Sequence, residues 1–141
     1  MARSMSEQAC ALALEFLERV WGEAHELQAI DELMTDDYAI TSGGHVIRGR
    51  AAFKAWVADF QSKLADARTK SVAVFAGAHG AMVVSRWICT GRNNGIFGLA
   101  PDNRPVSFTG IAIWRIADGK LAECWAERSA HEAYLQLSGQ H

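Results

Sequence analysis

Arg86 is the first residue to raise a chemical question. It stands in Val84-Ser-Arg-Trp-Ile88, mid-strand between apolar neighbours, and a guanidinium taken out of water is costly unless it is paired. Two readings stay open: it faces solvent on the outer side of a sheet, or it lines a pocket and anchors an anionic or carbonyl group. Cys124, in Leu121-Ala-Glu-Cys-Trp125, is a thiol among apolar residues. As a nucleophile it needs a neighbouring base or positive charge, and the sequence names none; as a small core residue it needs nothing. Asn93, in Gly91-Arg-Asn-Asn-Gly95, has an amide able to orient a carbonyl or a water, and it is equally the residue type a turn uses. Arg128, four residues beyond Cys124 and on the same strand face, falls at a pocket rim or in a salt bridge at the strand end. The histidines His25, His45, His79, His131 and His141 are scattered, and no H-E-x-x-H, C-x-x-C or EF-hand loop occurs, so no metal site is expected. Without a G-x-S-x-G elbow, a P-loop or a dinucleotide fingerprint, no cofactor is expected either.

The elements that must position these groups are legible in the spacing. Ala9, Ala13, Phe16, Leu17, Val20 and Ala24 recur at helical intervals and predict a helix over 6–25, with Ser6 as its cap. A short helix is predicted at about 27–34, ended by Thr35-Asp36-Asp37. The strand Tyr38–Thr41 follows, then a Ser42-Gly43-Gly44 turn and a partner strand from His45 to Arg48. Phe53, Trp56, Val57, Phe60 and Leu64 fit one stripe of a third helix; Trp56 and Phe60 are core residues on that stripe or the wall of a pocket. After residue 68 the pattern turns to strands: Lys70–Ala76 and Ala81–Thr90 as a hairpin across Gly77-Ala-His-Gly80, a long Gly91–Pro105 connection, then Val106–Ile116 and Leu121–Arg128. The last two strands flank Ala117-Asp118-Gly119-Lys120, where Asp-Gly supplies the backbone conformation a tight turn requires. A last helical turn is expected at 130–137. Helices followed by an antiparallel meander predict an α+β fold with helices on one face of the sheet.

Composition narrows the function classes. The chain of 141 residues is half hydrophobic, 21% charged and carries a formal net charge of −2. That predicts one globular domain over 1–141, with its core at about 6–138, and gives no basic footprint for nucleic acid. No run approaches a membrane span, and no signal-peptide core follows Met1 to Met5. Cys10, Cys89 and Cys124 are odd in number and lack paired spacing, as free thiols in a reducing compartment are; a cytoplasmic location is expected.

The last third carries a resemblance. Gly95-Ile-Phe97-Gly98, Pro101, Pro105-Val106, Gly110-Ile111 and Arg115-Ile116-Ala-Asp-Gly-Lys120-Leu121-Ala-Glu123-Cys-Trp125 succeed one another in an order that resembles the SnoaL-like polyketide cyclase family of the nuclear transport factor 2-like superfamily. The resemblance spans roughly residues 8–138. It implies a cone-like curved antiparallel sheet wrapped around the N-terminal helices, a cystatin-like α+β barrel, with a ligand site at one end of the cone. By alternation, Val106, Phe108, Gly110, Ala112, Trp114 and Ile116 form the face turned to the helices. The expected pocket lining is Tyr38, Trp56, Phe60, Phe97, Gly110, Ala112, Trp114, Cys124, Ala126 and Arg128.

The family's chemistry, carried over residue by residue, meets departures. The aspartate that serves its cyclases as general acid/base falls on Ala126, its pocket histidine and glutamine on Ala112 and Gly110, a second histidine on Cys124, and its loop histidine on Asn93. A methyl group moves no proton. Aldol ring closure by that carboxylate is therefore not expected, unless a register slip of one residue turns Glu127 inward. The resemblance implies a small hydrophobic, cyclic or polyketide-like molecule as partner, either converted without a cofactor (cyclisation, isomerisation, dehydration or hydroxylation) or bound without turnover. Catalytic candidates are confined to Asn93, Cys124 and Arg86. Trp125 and Ile113, on the opposite face, are expected to form the seam of a homodimer.

Overall fold

The computed structural model describes residues 3–139; Met1, at the head of the N-terminal stretch, and His141 lie outside them. Helix α1 (Met5–Val20) buries Ala9, Ala13, Phe16, Leu17 and Val20, the stripe read from the sequence. Its cap is Ser4 and not Ser6: the Ser4 hydroxyl accepts from the Glu7 amide at 3.1 Å. It also stops short of residue 25. Gly22 lies so close over the Glu18 carbonyl that a Cβ there would sit 2.2 Å from its oxygen, and the chain turns away through His25 at φ 47°. Helix α2 (Ala29–Leu33) is a single turn. Thr35-Asp36-Asp37 does not end it but continues strand β1 (Met34–Ser42), because Met34 already pairs with Leu121.

Strand β2 (His45–Arg48) returns from β1 across Gly43 and Gly44, both at positive φ. Gly49, at φ 94°, opens α3 (Arg50–Ser62), which buries Phe53, Val57 and Phe60. Leu64, expected on that helix, is instead the first residue of β3 (Leu64–Gly77), fully buried and paired with Asn93. A 3-10 turn at Ala78–Gly80 leads into β4 (Met82–Asn93), and the connection to β5 (Pro105–Ala117) holds a second 3-10 turn at Ile96–Gly98. Asp118 and Gly119, both at positive φ, close the hairpin to β6 (Lys120–Arg128), and α4 (Ala130–Ser138) follows as a full short helix.

The six strands form one unclosed sheet in the order β2-β1-β6-β5-β4-β3. One pairing departs from the antiparallel expectation: β1 runs parallel to β6, Ile40 opposite Cys124 and Ser42 opposite Ala126. The sheet carries register irregularities, two in β3, one in β1 between Met34 and Ala39 and one where Leu121 opposes Ile116; bulges of this kind increase local twist. Helices α1 and α3 pack into its concave face, and Phe16, Phe53, Trp114 and Tyr38 meet there.

Strand parity is as the alternation predicts. Val106, Phe108, Ala112 and Trp114 are buried, while Ile111 and Ile113 are exposed. On β6, Cys124 and Ala126 are buried and Glu127 is exposed, so no slip turns Glu127 inward. Glu123 faces outward beside Arg115 at 3.4 Å. On this outer side the register aligns Val46, Thr41, Trp125, Ile113, Val84 and Phe75 in one row across all six strands. Of these, Phe75 is 59% exposed and Trp125 38%. The next row holds Glu127, Ile111 and Arg86.

Candidate functional site

Between the concave sheet and the helices lies a cavity of about 390 Å³. Phe16, Leu17 and Trp21 of α1 and Phe53, Trp56 and Phe60 of α3 form its helical wall. Tyr38, Ile40 and Ser42 of β1, His45 and Ile47 of β2, Thr69 of β3 and Trp87 and Cys89 of β4 line the sheet side, with Phe108, Ala112 and Trp114 of β5 and Cys124, Ala126 and Arg128 of β6. The aromatic rings interlock: Trp56 stacks between Phe53 and Phe60 at 6.1 and 5.8 Å, and Phe60 meets Phe108 edge-on at 6.2 Å. Among the described residues no carboxylate lines this space, and no group of three or more His, Cys, Asp or Glu side chains is placed to hold a metal ion.

Besides Ser42, His45 and Thr69, the polar groups of the lining fall at two ends. At the Cys124 end, Tyr38 and Trp114 are fully enclosed, and neither the Tyr38 hydroxyl nor the Trp114 indole N–H makes a hydrogen bond of ordinary geometry among the described residues. The two groups neighbour each other and the Cys124 thiol, so each polar atom has only a loose partner in this enclosed cluster. Burial, then the neighbouring Cys124 thiol, push the Tyr38 hydroxyl well above its usual ionisation range. Burial pushes the Cys124 thiol up to about 12, against the opposing effect of the Tyr38 hydroxyl beside it. Cys124 is thus a protonated, unreactive thiol at neutral pH, a lining residue without the thiolate a nucleophile needs.

At the other end stands Arg128. Residues 124, 126 and 128 share one face of β6, opposite Trp114, Ala112 and Gly110 in turn, so Arg128 lies about 13 Å along the strand from Cys124. Its guanidinium carbon sits over three rings, 5.7 Å from Trp56, 5.8 Å from Phe60 and 5.9 Å from Phe108, the geometry of cation–π attraction. The salt bridge considered for it is not formed: among the described residues it has no ion pair and no hydrogen bond. Burial therefore lowers its pKa, and the five donors of the group remain open to whatever enters.

Several expected site residues lie elsewhere. Arg86 is exposed on the outer face, because parity sends Trp87 inward and Arg86 out. Asn93 is buried but satisfied: its Oδ1 accepts from the Gly95 and Ile96 amides at 2.9 Å each, and its Nδ2 donates to Ala100 O at 3.0 Å and Asp102 Oδ1 at 2.8 Å. Its whole capacity goes into shaping the 94–104 connection. Phe97, held at φ 58°, backs Phe108 edge-on at 6.0 Å and is outside the lining. Gly110 is outside it too, because the Trp87 indole lies across it; a Cβ there would be 2.2 Å from Trp87 Cζ2. Conversely, Trp87 and Cys89 line the cavity without having been singled out, and Phe53 and Phe108, expected on inward faces, line it as well. The period-two spacing of Val83, Trp87 and Cys89 was the signal for the first two, and the burial pattern of β4 follows it.

The model of the SnoaL-like polyketide cyclase family matches residues 11–137. Among solved structures, a candidate SnoaL-like polyketide cyclase from Jannaschia sp. CCS1 is similar with a TM-score of 0.87 at 19% identity, covering 98% of this chain and 97% of that one. TsrD from Streptomyces laurentii gives 0.81 at 22% identity over 100% and 99% of the two chains. An LEH-like epoxide hydrolase of M. tuberculosis gives 0.73 at 15% identity over 96% and 92%. At these identities the likeness speaks for the fold. Comparison with curated proteins gives no match.

Proposed function

Because the chain belongs to the SnoaL-like polyketide cyclase family, we propose that its cavity binds a small hydrophobic, ring-containing molecule of the polyketide kind, gripped by aromatic walls and not by a catalytic acid. The observation that carries this reading is the lining itself: stacked rings from α3, facing aromatics from β4 and β5, and no carboxylate among the described residues. A volume of about 390 Å³ lies at the small end of the range for ligand pockets, roughly 300–1,000 Å³, and suits a few rings better than an extended chain. Ala126, where the family resemblance expects the acid/base aspartate, offers a methyl group to the cavity. Turnover, where it occurs, then relies on positioning and on a dry site, without a cofactor; a pure binding module needs only the first of these. Free Cys10, Cys89 and Cys124 fit a reducing compartment, and among the described residues no helix is long and apolar enough to cross a membrane.

Native mass spectrometry of the purified protein tests the reading, followed by thermal-shift screening with aromatic ketones. A ligand at a hundred times its Kd stabilises by about 2.7 kcal/mol, a rise in Tm of several degrees. No retained mass and no shift with any apolar ring compound would remove it.

A second reading concerns a second copy of this chain on the outer face. A two-fold axis along β5 would set Ile111 and Ile113 against themselves, Trp125 against the second copy's Val84 and Glu127 against its Arg86, joining an apolar row to a complementary charge pair. Both functions coexist, since the cavity opens on the other side of the sheet. Sedimentation at micromolar concentration should give a dimer that Trp125→Glu converts to monomer; a monomeric wild type would end this reading.

A further inference from the structure

The cavity is lined mainly by apolar groups, and its two ends differ in kind. At one end the Tyr38 hydroxyl and the Trp114 indole N–H are enclosed beside each other and the Cys124 thiol and present no accessible surface to a ligand. At the other end a full positive charge, Arg128, faces the same space with no carboxylate to answer it among the described residues. Thr69, opposite Cys89, adds a hydroxyl to the lining. Leaving a part-buried charge unanswered costs free energy in the empty protein; a ligand that pairs with it recovers that cost.

Resting on the proposed binding function, we infer that the ligand is an aromatic acid: a flat apolar body along the ring-lined walls with an anionic head, a carboxylate or acidic phenolate, on Arg128. The three rings around Arg128 lie over its guanidinium, and its N–H donors remain for the head group. Neutral molecules of equal shape fill the walls but leave Arg128 unpaired, and the site discriminates against them for that reason.

The test uses two matched probes and the ratio of their affinities within each protein, so that a change in stability does not confuse the result. Biphenyl-4-carboxylate carries the charged head; biphenyl-4-carboxamide keeps the shape and loses the charge. Wild-type protein, titrated by quenching of tryptophan fluorescence, should prefer the acid over the carboxamide by at least about tenfold. Arg128→Met should bind both and erase the preference. If both probes bind but wild type ranks them equally, or if Arg128→Met retains the ranking, the acid is wrong and the hydrophobic-ligand reading stands. If neither binds, the proposed binding function falls with the inference.

Discussion

Gly110→Ala tests how the aromatic wall is built. Gly110 sits mid-strand in β5 opposite Trp87, and a Cβ added there would lie 2.2, 2.5 and 2.7 Å from Trp87 Cζ2, Cη2 and Cε2. Carbon contacts are comfortable at about 3.5–4.0 Å, so the indole must move by more than about 1 Å. Its edge-on contact with Phe108, at 6.0 Å and 79°, and its place in the cavity wall oppose that shift. Overpacking of this size costs about 1–3 kcal/mol. Alanine recovers part of it, about 0.4–1 kcal/mol, by restricting the unfolded chain. The expected net loss is about 0.5–2 kcal/mol, a fall in Tm of a few degrees, together with altered near-UV circular dichroism as the indole moves. Urea unfolding of Gly110→Ala, Trp87→Leu and the double variant closes a double-mutant cycle, in which Trp87→Leu should absorb the added methyl and yield a coupling of about 1 kcal/mol or more. A Gly110→Ala protein as stable as wild type, with no coupling to position 87, would refute the claim that this glycine exists to seat the indole.

Other expectations follow from the two ends of the cavity. Tyr38→Phe removes a buried hydroxyl that makes no hydrogen bond of ordinary geometry among the described residues and should leave the protein unchanged or more stable by about 1 kcal/mol, read by urea unfolding. The Cys124 thiol, pushed up to about 12 from an ordinary value near 9, holds its proton more tightly folded than unfolded. Its stabilisation is therefore complete below about pH 8.5 and is lost as pH rises toward 12, at up to about 1.4 kcal/mol per pH unit; Cys89 and Tyr38, also raised by burial, act in the same direction. Cys124→Ala should flatten the stability profile between pH 8.5 and 10.5, and native Cys124 should resist alkylation at pH 8 more than about a hundredfold relative to the unfolded chain, by peptide mass mapping. Ala126→Asp places a carboxylate two residues from Arg128 on the same face; the two should pair, and the preference for acid over carboxamide should fall about tenfold, measured by the same fluorescence titration.

How much of this was legible in the sequence depended on whether the signal was local. Parity on β5 and β6 was, because Trp114, Ala112, Cys124 and Ala126 alternate with Ile113, Trp125 and Glu127, and the Asp118-Gly119 turn fixes their register. The stripe of α3 was legible down to Phe60, but Leu64 fits a helical period and a buried strand start equally well, and pairing with Asn93 decided it. Met34–Asp37 looked like a helix end because the pairing that makes it strand comes from β6, far along the chain. Asn93 could not be assigned in advance, since one amide serves a ligand or a turn with the same atoms. The setting of Arg128 was hidden for a different reason: that no carboxylate among the described residues meets it is a property of the assembled neighbours, and no spacing in its own strand encodes an absence.

The parallel seam between β1 and β6 has a kinetic consequence. It is the junction that brings Tyr38 beside Cys124 and Trp114, and it joins segments more than eighty residues apart, whereas every other ladder links strands adjacent in sequence. Contacts of such long range carry the largest loop-closure entropy and form late. The end of the cavity beside this seam is therefore expected to be completed late in assembly. A molecule that fills the completed cavity should slow unfolding through this seam more than it speeds the collapse that precedes it.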